Sequence, residues 1–364
     1  MRIIDVIQVL ESWAPRSLQE SYDNSGLIFG SGQTECTGVL CTLDATEEVI
    51  AEAVQRGCNL VVAHHPILFG GLKQIDPTHY VGRALIQAIR NDVAIYAIHT
   101  NLDNVLNGVS QAMADRLQLV NRKILSPKPH QLKKLYTFVP LAHIENVSNA
   151  LFQAGAGQIG RYDRCSFRQS GEGSFRGLAG SAPYVGSVGQ QHLEPEYKLE
   201  VIYPYFLEKD ILGALRESHP YEEVAFDLVN LTNDHPDIGS GLIGDLPEPM
   251  DAQAFLARLK EVFFSEGLRY TVPNNRSIRR VALCGGAGSF LISKALSSGV
   301  DAFLTADLKY HEFFEADGKM LLVDLGHYES EQFTIGLIQR VLAEKFPNFA
   351  VLKTERITNP VRYY

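Results

Sequence analysis

Short apolar runs alternate with amphipathic segments along the first 125 residues. The apolar runs are continuous and rich in Val and Ile, which is typical of strands buried on both faces: GVLCTLDAT, NLVVAHHP and VAIYAIHTNLD. The other segments have apolar residues at helical spacing: MRIIDVIQVLESWAP, TEEVIAEAVQRG, VGRALIQAIRND and GVSQAMADRLQL. This alternation predicts a mostly parallel sheet covered by helices.

The same alternation returns after about residue 240. The predicted strands are IRRVALCGG, DAFLTAD and KMLLVDLG, and the predicted helices are GSFLISKALSSG, YHEFFEADG and the long HYESEQFTIGLIQRVLAEKFP. The two α/β blocks are expected to form either one interleaved domain or two matched halves.

A different pattern separates the two blocks, between a proline-marked linker at 126–130 and a Gly, Asp and Pro-rich linker at 232–241. It consists of a strand, a helix and a strand, repeated once, which is typical of a ferredoxin-like α+β domain. The glycine-rich stretch 171–189 is expected to be its loop. The predicted organisation is therefore a first α/β half over 1–126, an inserted ferredoxin-like domain over 127–235, and a second α/β half over 236–364.

Charge and cysteine usage exclude several classes of function. The chain has 33 Lys and Arg against 42 Asp and Glu, a net charge of −9, so broad binding to nucleic acid is disfavoured. No apolar run reaches the roughly 18 residues that a membrane span needs. The five cysteines are scattered and never form a C-x-x-C pair, which favours a cytoplasmic protein whose metals, if any, are bound by His and carboxylates.

Imidazole and carboxylate side chains follow the predicted strands at their carboxyl ends, where parallel α/β sheets bind ligands. They are Asp44, His64, His65, His99, Asp103, Asp307, Asp324, His327 and Glu331. His327 and Glu331 are four residues apart at the start of a helix, so they share one face. His64 and His65 are adjacent, so they would point opposite ways on a regular strand. At the strand end before Pro66 both could turn towards one site, and such neighbouring directions suit two metal ions better than one.

Simpler interpretations remain open for these residues. The His-His pair is also typical of a loop or a capping group, and His327 with Glu331 is also typical of a charge pair at a helix start. The GGAGS stretch is better explained as a tight turn than as a phosphate loop, since it lacks the G-x-G-x-x-G spacing. Turns are also the preferred interpretation for His219 with Glu222 and Glu223, and for Asp23 with Asn24.

Five motifs in order, YDNSGL, LVVAHHPILF, HTNLDNV, TADLKYHEFFEA and DLGHYESE, resemble the Nif-three-like family, also known as GTP cyclohydrolase type 2 homologues. The middle segment with HPYEEVAFDL resembles the PII-like insertion of the longer family members.

The resemblance implies a dinuclear divalent-metal site between two similar α/β halves, in a ring-shaped homohexamer. His64 would bind one ion with His327, His65 and Asp103 would bind the other, and Glu331 would bridge them. Zn, Fe, Mn and Co all suit such ligands. His99 and Thr100 could orient Asp103 or a ligand histidine, and His311 and Tyr310 could contact substrate or transfer a proton. His311 and His99 are the candidate catalytic side chains.

Two functions from different classes follow. The first is a metal-dependent hydrolase of a nucleotide or similar small metabolite, with GTP as the substrate that the resemblance implies. The second is a regulatory or ligand-sensing protein in which the metals are structural and the PII-like module binds a ligand or a partner.

Overall fold

The computed structural model describes residues 1–72, 74–273 and 277–364. They form two compact units, Met1–Pro127 with Asp237–Tyr364, called the core unit here, and Lys128–Pro236, called the inserted unit. In the described part of the chain, no helix has the length and apolar character that a membrane span requires.

The strands lie, in chain order, at β1 (Gly26–Phe29), β2 (Val39–Thr42), β3 (Leu60–Ala63), β4 (Ala94–Ala97), β5 (Val120–Pro127), β6 (Leu132–Pro140), β7 (Ser166–Arg176), β8 (Gln191–Pro204), β9 (Phe226–Asn230), β10 (Gly239–Met250), β11 (Arg269–Tyr270), β12 (Ile278–Ala287), β13 (Ala302–Ala306), β14 (Leu321–Asp324) and β15 (Val351–Lys353).

The α-helices lie at α1 (Ile3–Trp13), α2 (Glu47–Gln55), α3 (Tyr80–Arg90), α4 (Thr100–Asp103), α5 (Val109–Leu117), α6 (Ile144–Gln153), α7 (Glu208–Ser218), α8 (Ala252–Phe263), α9 (Ile292–Ser297), α10 (His327–Glu331) and α11 (Thr334–Lys345). Side-chain caps begin two of them, because Thr46 accepts from the amide of Val49 and Asp251 accepts from the amide of Ala254.

The first sheet of the core unit has the strand order β1-β4-β3-β2-β15. Its strands are parallel except β1, which is antiparallel to β4. The fully buried β2, β3 and β4 account for the continuous apolar runs of the sequence. Four of the five strands agree with the prediction of a mostly parallel sheet.

The second sheet, ordered β11-β14-β13-β12-β10-β5, is mixed. Only β12, β13 and β14 are parallel to one another, while β5, β10 and β11 add antiparallel pairs at both edges. The prediction of a mostly parallel sheet is therefore wrong for this half. The prediction rested on three buried apolar runs. It missed β5 and β10, whose partly exposed sequences lack a continuous apolar pattern.

Each of the two sheets contains strands from both blocks of the chain. β15, near the end of the chain, pairs with β2 of the first sheet, and β5 pairs with β10 of the second. Met113 and Leu117 of α5 belong to the hydrophobic cluster of the second sheet. Residues from about 109 onward in the first block thus pack with the second sheet, and the two blocks interleave.

The inserted unit is a four-stranded antiparallel sheet ordered β7-β8-β6-β9, with α6 following β6 and α7 following β8. Both helices pack on the same face of the sheet, since Val147 and Ile211 share one cluster with Leu135, Leu199 and Val201. The βαββαβ order and this strand order are those of the ferredoxin-like arrangement that the sequence pattern predicts.

Three local predictions were wrong. The long helix predicted from His327 is interrupted between α10 and α11, where the Phe333 ring packs against Phe263 and under the Arg116 guanidinium. The predicted helix YHEFFEADG is a 3₁₀ helix, Tyr310–Ala316. The glycine-rich stretch is only partly loop, because β7 continues to Arg176 by pairing with β8.

Candidate metal centre

Two histidines follow β3, as their place in the sequence predicted. The backbone amides of His64 and His65 continue the ladder to the carbonyls of Thr42 and Leu43. The Nδ1 atom of His64 donates to the carbonyl oxygen of Ile98 (2.8 Å), and that of His65 donates to Asp44 Oδ1 (2.8 Å). Because each Nδ1 is engaged, each Nε2 is directed to the same interior space.

The second sheet brings His327 and Glu331 to the same place. Both lie on α10, which begins directly after β14, and the Glu331 side chain is buried. The Nδ1 atom of His327 donates to Asp307 Oδ2 (2.6 Å), at the end of β13. The four-residue spacing therefore places an imidazole and a carboxylate side by side, as the sequence indicated.

Glu331 lies between two groups of side chains. Its Oε2 is 2.9 Å from His65 Nε2 and 3.1 Å from His327 Nε2. Its Oε1 is 3.8 Å from His64 Nε2, which is also 3.8 Å from Asp103 Oδ1. The five residues thus meet in one cluster, in which Glu331 can bridge.

The grouping differs from the one that the resemblance implied. Among the described residues, two groups that could hold an ion share Glu331, one with His65 and His327 and one with His64 and Asp103, and a third group consists of His64, His65 and His99, with candidate ligand atoms within 4.8 Å of one another in each. The implied pairing of His64 with His327 stays a prediction; in the candidate groups His327 lies with His65, and their Nε2 atoms are 3.2 Å apart.

Two buried atoms at the centre are unsatisfied. Among the described residues, His64 Nε2 and Asp103 Oδ1 have no hydrogen-bond partner. Buried polar atoms are rarely left in this state, because each loses its hydration without replacement. An imidazole nitrogen and a carboxylate oxygen at 3.8 Å are too far apart to bond each other and suitably placed to bind one cation between them. The residues present therefore fit a divalent metal.

The electrostatics of the cluster favour cations. Burial alone would lower the pKa of His65, but hydrogen bonds with Asp44 and Glu331 raise it to about 9. Burial likewise opposes the shift at His327, where the charge of Glu331 and the hydrogen bond to Asp307 raise the pKa to about 11. Burial and the charge of Glu331 raise the pKa of Asp103 well above its usual value. Excess carboxylate charge is what a bound cation would neutralise.

His99 lies beside the cluster and is held by Asp23. The His99 ring centroid is 5.3 Å from that of His64, and His99 Nδ1 donates to Asp23 Oδ1 (2.8 Å). Asp23 Oδ2 accepts from the Thr100 hydroxyl (2.5 Å) and amide (3.0 Å). Burial would raise the pKa of Asp23, but these hydrogen bonds hold it well below its usual value. The sequence interpretation of Asp23 as a turn residue missed this role.

The GGAGS stretch makes room for Glu331. A Cβ on Gly286 would lie 2.4 Å from Glu331 Oε1, and a Cβ on Gly285 would lie 3.3 Å from Glu331 Cγ. The amide of Gly286 donates to Ser330 Oγ (3.0 Å). The absence of side chains at Gly285 and Gly286 therefore allows α10 to lie close to β12. The tight-turn interpretation did not anticipate this role.

The cluster opens into a cavity of about 760 Å³ within the core unit. Four aromatic residues that line it are more than half exposed: Tyr22, Phe69, Tyr80 and Phe290. Exposed aromatic rings around a polar floor can stack on a planar ligand.

His311 is not brought to the cluster. It is exposed on the 3₁₀ helix, where its ring contacts those of Tyr310 and Phe314, and the residues that line the cavity do not include it. Of the two candidate catalytic histidines, the structure places only His99 beside the candidate metal ligands.

The fold and the site define an α/β protein with a histidine and carboxylate cluster where two sheets meet. The family model of Duf34/NIF3 (NGG1p interacting factor 3) matches residues 1–360, and the chain belongs to this family.

Relatives named "GTP cyclohydrolase 1 type 2 homolog" occur in Halalkalibacterium halodurans (37% identity, 98% of each chain covered) and Bacillus subtilis (34% identity, 98% of this chain and 97% of the relative). A crystal structure of a Bacillus cereus protein related to NIF3 superimposes with a TM-score of 0.89 at 35% identity, covering 100% of this chain and 99% of that one.

Proposed function

We propose that the chain is a divalent-metal-dependent hydrolase of a nucleotide or a similar planar metabolite. One observation carries the proposal: the orphaned His64 Nε2 and Asp103 Oδ1 lie in a cluster at the floor of a cavity rimmed by exposed aromatic rings. His64, Asp103 and Glu331 would hold one ion, and His65, His327 and Glu331 a second, with Zn, Fe, Mn or Co as suitable metals.

Bound divalent ions would supply Lewis acidity at the floor of the cavity. The protein residues supply orientation and proton transfer. Asp44 and Asp307 fix the rings of His65 and His327 through their Nδ1 atoms. Asp23 fixes His99 in the same way, which leaves His99 Nε2 to exchange a proton with a substrate in the cavity. Aromatic rings such as Phe69 and Phe290 would position the planar part of the substrate.

GTP is the first substrate to test, because the relatives carry a GTP cyclohydrolase name. The purified chain, loaded in turn with Zn, Mn, Fe and Co, is incubated with GTP and with a panel of other nucleotides, and products are separated by chromatography. Turnover that disappears in the Glu331→Ala variant and with chelator supports the proposal. An absence of turnover for every metal and nucleotide, with metal bound, contradicts it.

Ligand sensing by the inserted unit is a second candidate function, and one observation favours it: this unit has a cavity of its own, of about 610 Å³. We also propose that the chain forms a ring-shaped hexamer with a PII-like insertion, as the resemblance implies, and that it acts in the cytoplasm, as its cysteine usage favours. Native mass spectrometry tests the assembly, and a monomer under all conditions would refute it.

A further inference from the structure

The sheet of the inserted unit has a second face that the helices do not cover. Side chains alternate along a strand, so Leu135 and Val139 of β6 pack under the helices while Phe138 points to the opposite face. On that face lies the cavity of about 610 Å³, within the range of small-molecule sites.

A buried carboxylate forms part of the cavity wall. Glu196 of β8 is only 7% exposed, and its Oε1 accepts from the Tyr221 hydroxyl (2.8 Å). Its Oε2 lies over Gly173, where a Cβ would be 2.2 Å away. In the described part of the chain, no cationic side chain pairs with Glu196. A buried carboxylate with a single neutral donor is incompletely compensated, because it has lost hydration without gaining an opposite charge.

The cationic side chain nearest in sequence, Lys198, is engaged elsewhere. It lines the same cavity, but its Nζ is 3.1 Å from Glu200 Oε1 and 4.4 Å from the centre of the Tyr136 ring. Glu172, Glu222 and Glu223 also line the cavity, and Arg176 is the second cationic residue in its lining. Four carboxylates against two cations give the lining a net negative charge, which disfavours anions.

Aromatic rings complete the walls. The centroid of the Tyr221 ring is 6.0 Å from that of Phe175 and 6.3 Å from that of Tyr184. The Tyr184 hydroxyl is bonded to His143 Nε2 (2.9 Å), and the Glu222 carboxylate accepts from the amide of Ala182 (2.9 Å), so the loop that bears Tyr184 is tied in place. Aromatic faces beside a carboxylate are the usual recognition elements for organic cations.

We propose that this cavity binds a small organic cation that carries N–H groups, an ammonium or a guanidinium. One N–H donates to Glu196 Oε2, and the attached hydrocarbon packs against Phe175, Tyr184 and Tyr221. The site is separate in sequence from the metal centre, and the proposal does not depend on hydrolase activity.

Titration calorimetry with the metal-loaded full-length chain tests it, using agmatine and tyramine at millimolar concentration as probes. At least one probe binds the wild type, and Glu196→Gln, which keeps the shape and an acceptor for Tyr221, weakens binding by about tenfold or more. Glu194→Gln is the matched control: it removes the same charge two residues away on β8, from a side chain that pairs with His192 rather than lining the cavity. It leaves the affinity within about twofold.

Equal weakening by the two variants would show attraction by net charge alone and would overturn the proposal, as would the absence of binding by both probes. Tyr184→Leu provides a second test that does not alter the buried carboxylate. It keeps apolar contact and removes a ring face, so binding falls several-fold. Unchanged binding in both Glu196→Gln and Tyr184→Leu would also overturn the proposal.

Discussion

At the level of single residues, Gly286 has a left-handed backbone (φ +59°) and directly faces the Glu331 carboxylate. Both properties favour glycine, but only the second concerns the metal centre. Gly299 has almost the same backbone (φ +66°) with no atom near the position of its missing Cβ. A comparison of the two positions therefore separates the effect of backbone strain from the effect of displacing the Glu331 carboxylate.

We expect Gly286→Ala to lose most of its bound metal, because the new methyl group must displace Glu331 Oε1. Gly299→Ala should lower the free energy of unfolding by about 1 kcal/mol through backbone strain and keep its metal. Metal analysis and urea unfolding of both variants check this. Equal metal content in the two variants would mean that Gly286 does not make room for a ligand.

The Asp23–His99 pair makes a second prediction at this scale. Asp23→Asn should retain metal but lower the hydrolysis rate by about 10²-fold or more, because the amide cannot hold His99 in the same tautomer. Asp5→Asn, on the exposed start of α1, serves as the control and should keep full activity. A loss of metal equal to the loss of rate would instead make His99 or Asp23 part of metal binding.

At the level of elements, the sequence predicted where the strands end, but it did not predict the directions of the side chains that follow them. Continuous apolar runs located β2, β3, β4, β13 and β14, and hence the residues that follow them. The grouping of His64 with Asp103 depends on contacts with Ile98 and Glu331, which come from distant segments. Asp23 was missed because it precedes β1 in a loop, where no strand-end rule applies.

Glu52 of α2 accepts hydrogen bonds from the segment that follows β15. Its carboxylate accepts from the Thr354 hydroxyl (2.5 Å), the Glu355 amide (3.0 Å) and Arg56 Nη1 (2.7 Å). Burial would raise the pKa of Glu52, but these hydrogen bonds hold it below its usual value. A carboxylate whose pKa is lower in the folded than in the unfolded protein stabilises the fold at pH values above its pKa in the unfolded protein. This stabilisation is lost as the pH falls through its pKa in the folded protein.

Glu52→Gln should therefore lower the free energy of unfolding at pH 7 by about 1 to 3 kcal/mol. The difference from wild type should shrink as the pH falls below about 4, near the usual pKa of glutamate. Urea unfolding at several pH values measures it, with Glu47→Gln, an exposed partner of Arg83, as the control that changes little. A difference that stays constant with pH would contradict the assignment.

At the level of the whole molecule, the candidate metal ligands all lie in the core unit. The chain leaves and re-enters this unit at one place: Pro127 pairs with Gly239, and Ser126 with Ser240, in the ladder between β5 and β10. The gap left by the inserted unit could therefore be closed by a short turn.

Replacing Lys128–Pro236 with a short glycine linker should leave the metal content per chain unchanged, because β5 and β10 would still be joined as a hairpin. Glu331→Ala in the shortened chain is the control and should lose metal. A folded shortened chain that binds no metal would show that the inserted unit is needed for the centre.

The metal content per chain, in protein purified without chelator, tests the central claim most directly. Two candidate ligand groups that share Glu331 predict about two divalent ions in the wild type and a sharp loss in Glu331→Ala, since removal of a bridging carboxylate disturbs both. Content near zero in the wild type, even after addition of Zn, Mn or Fe, would contradict the account.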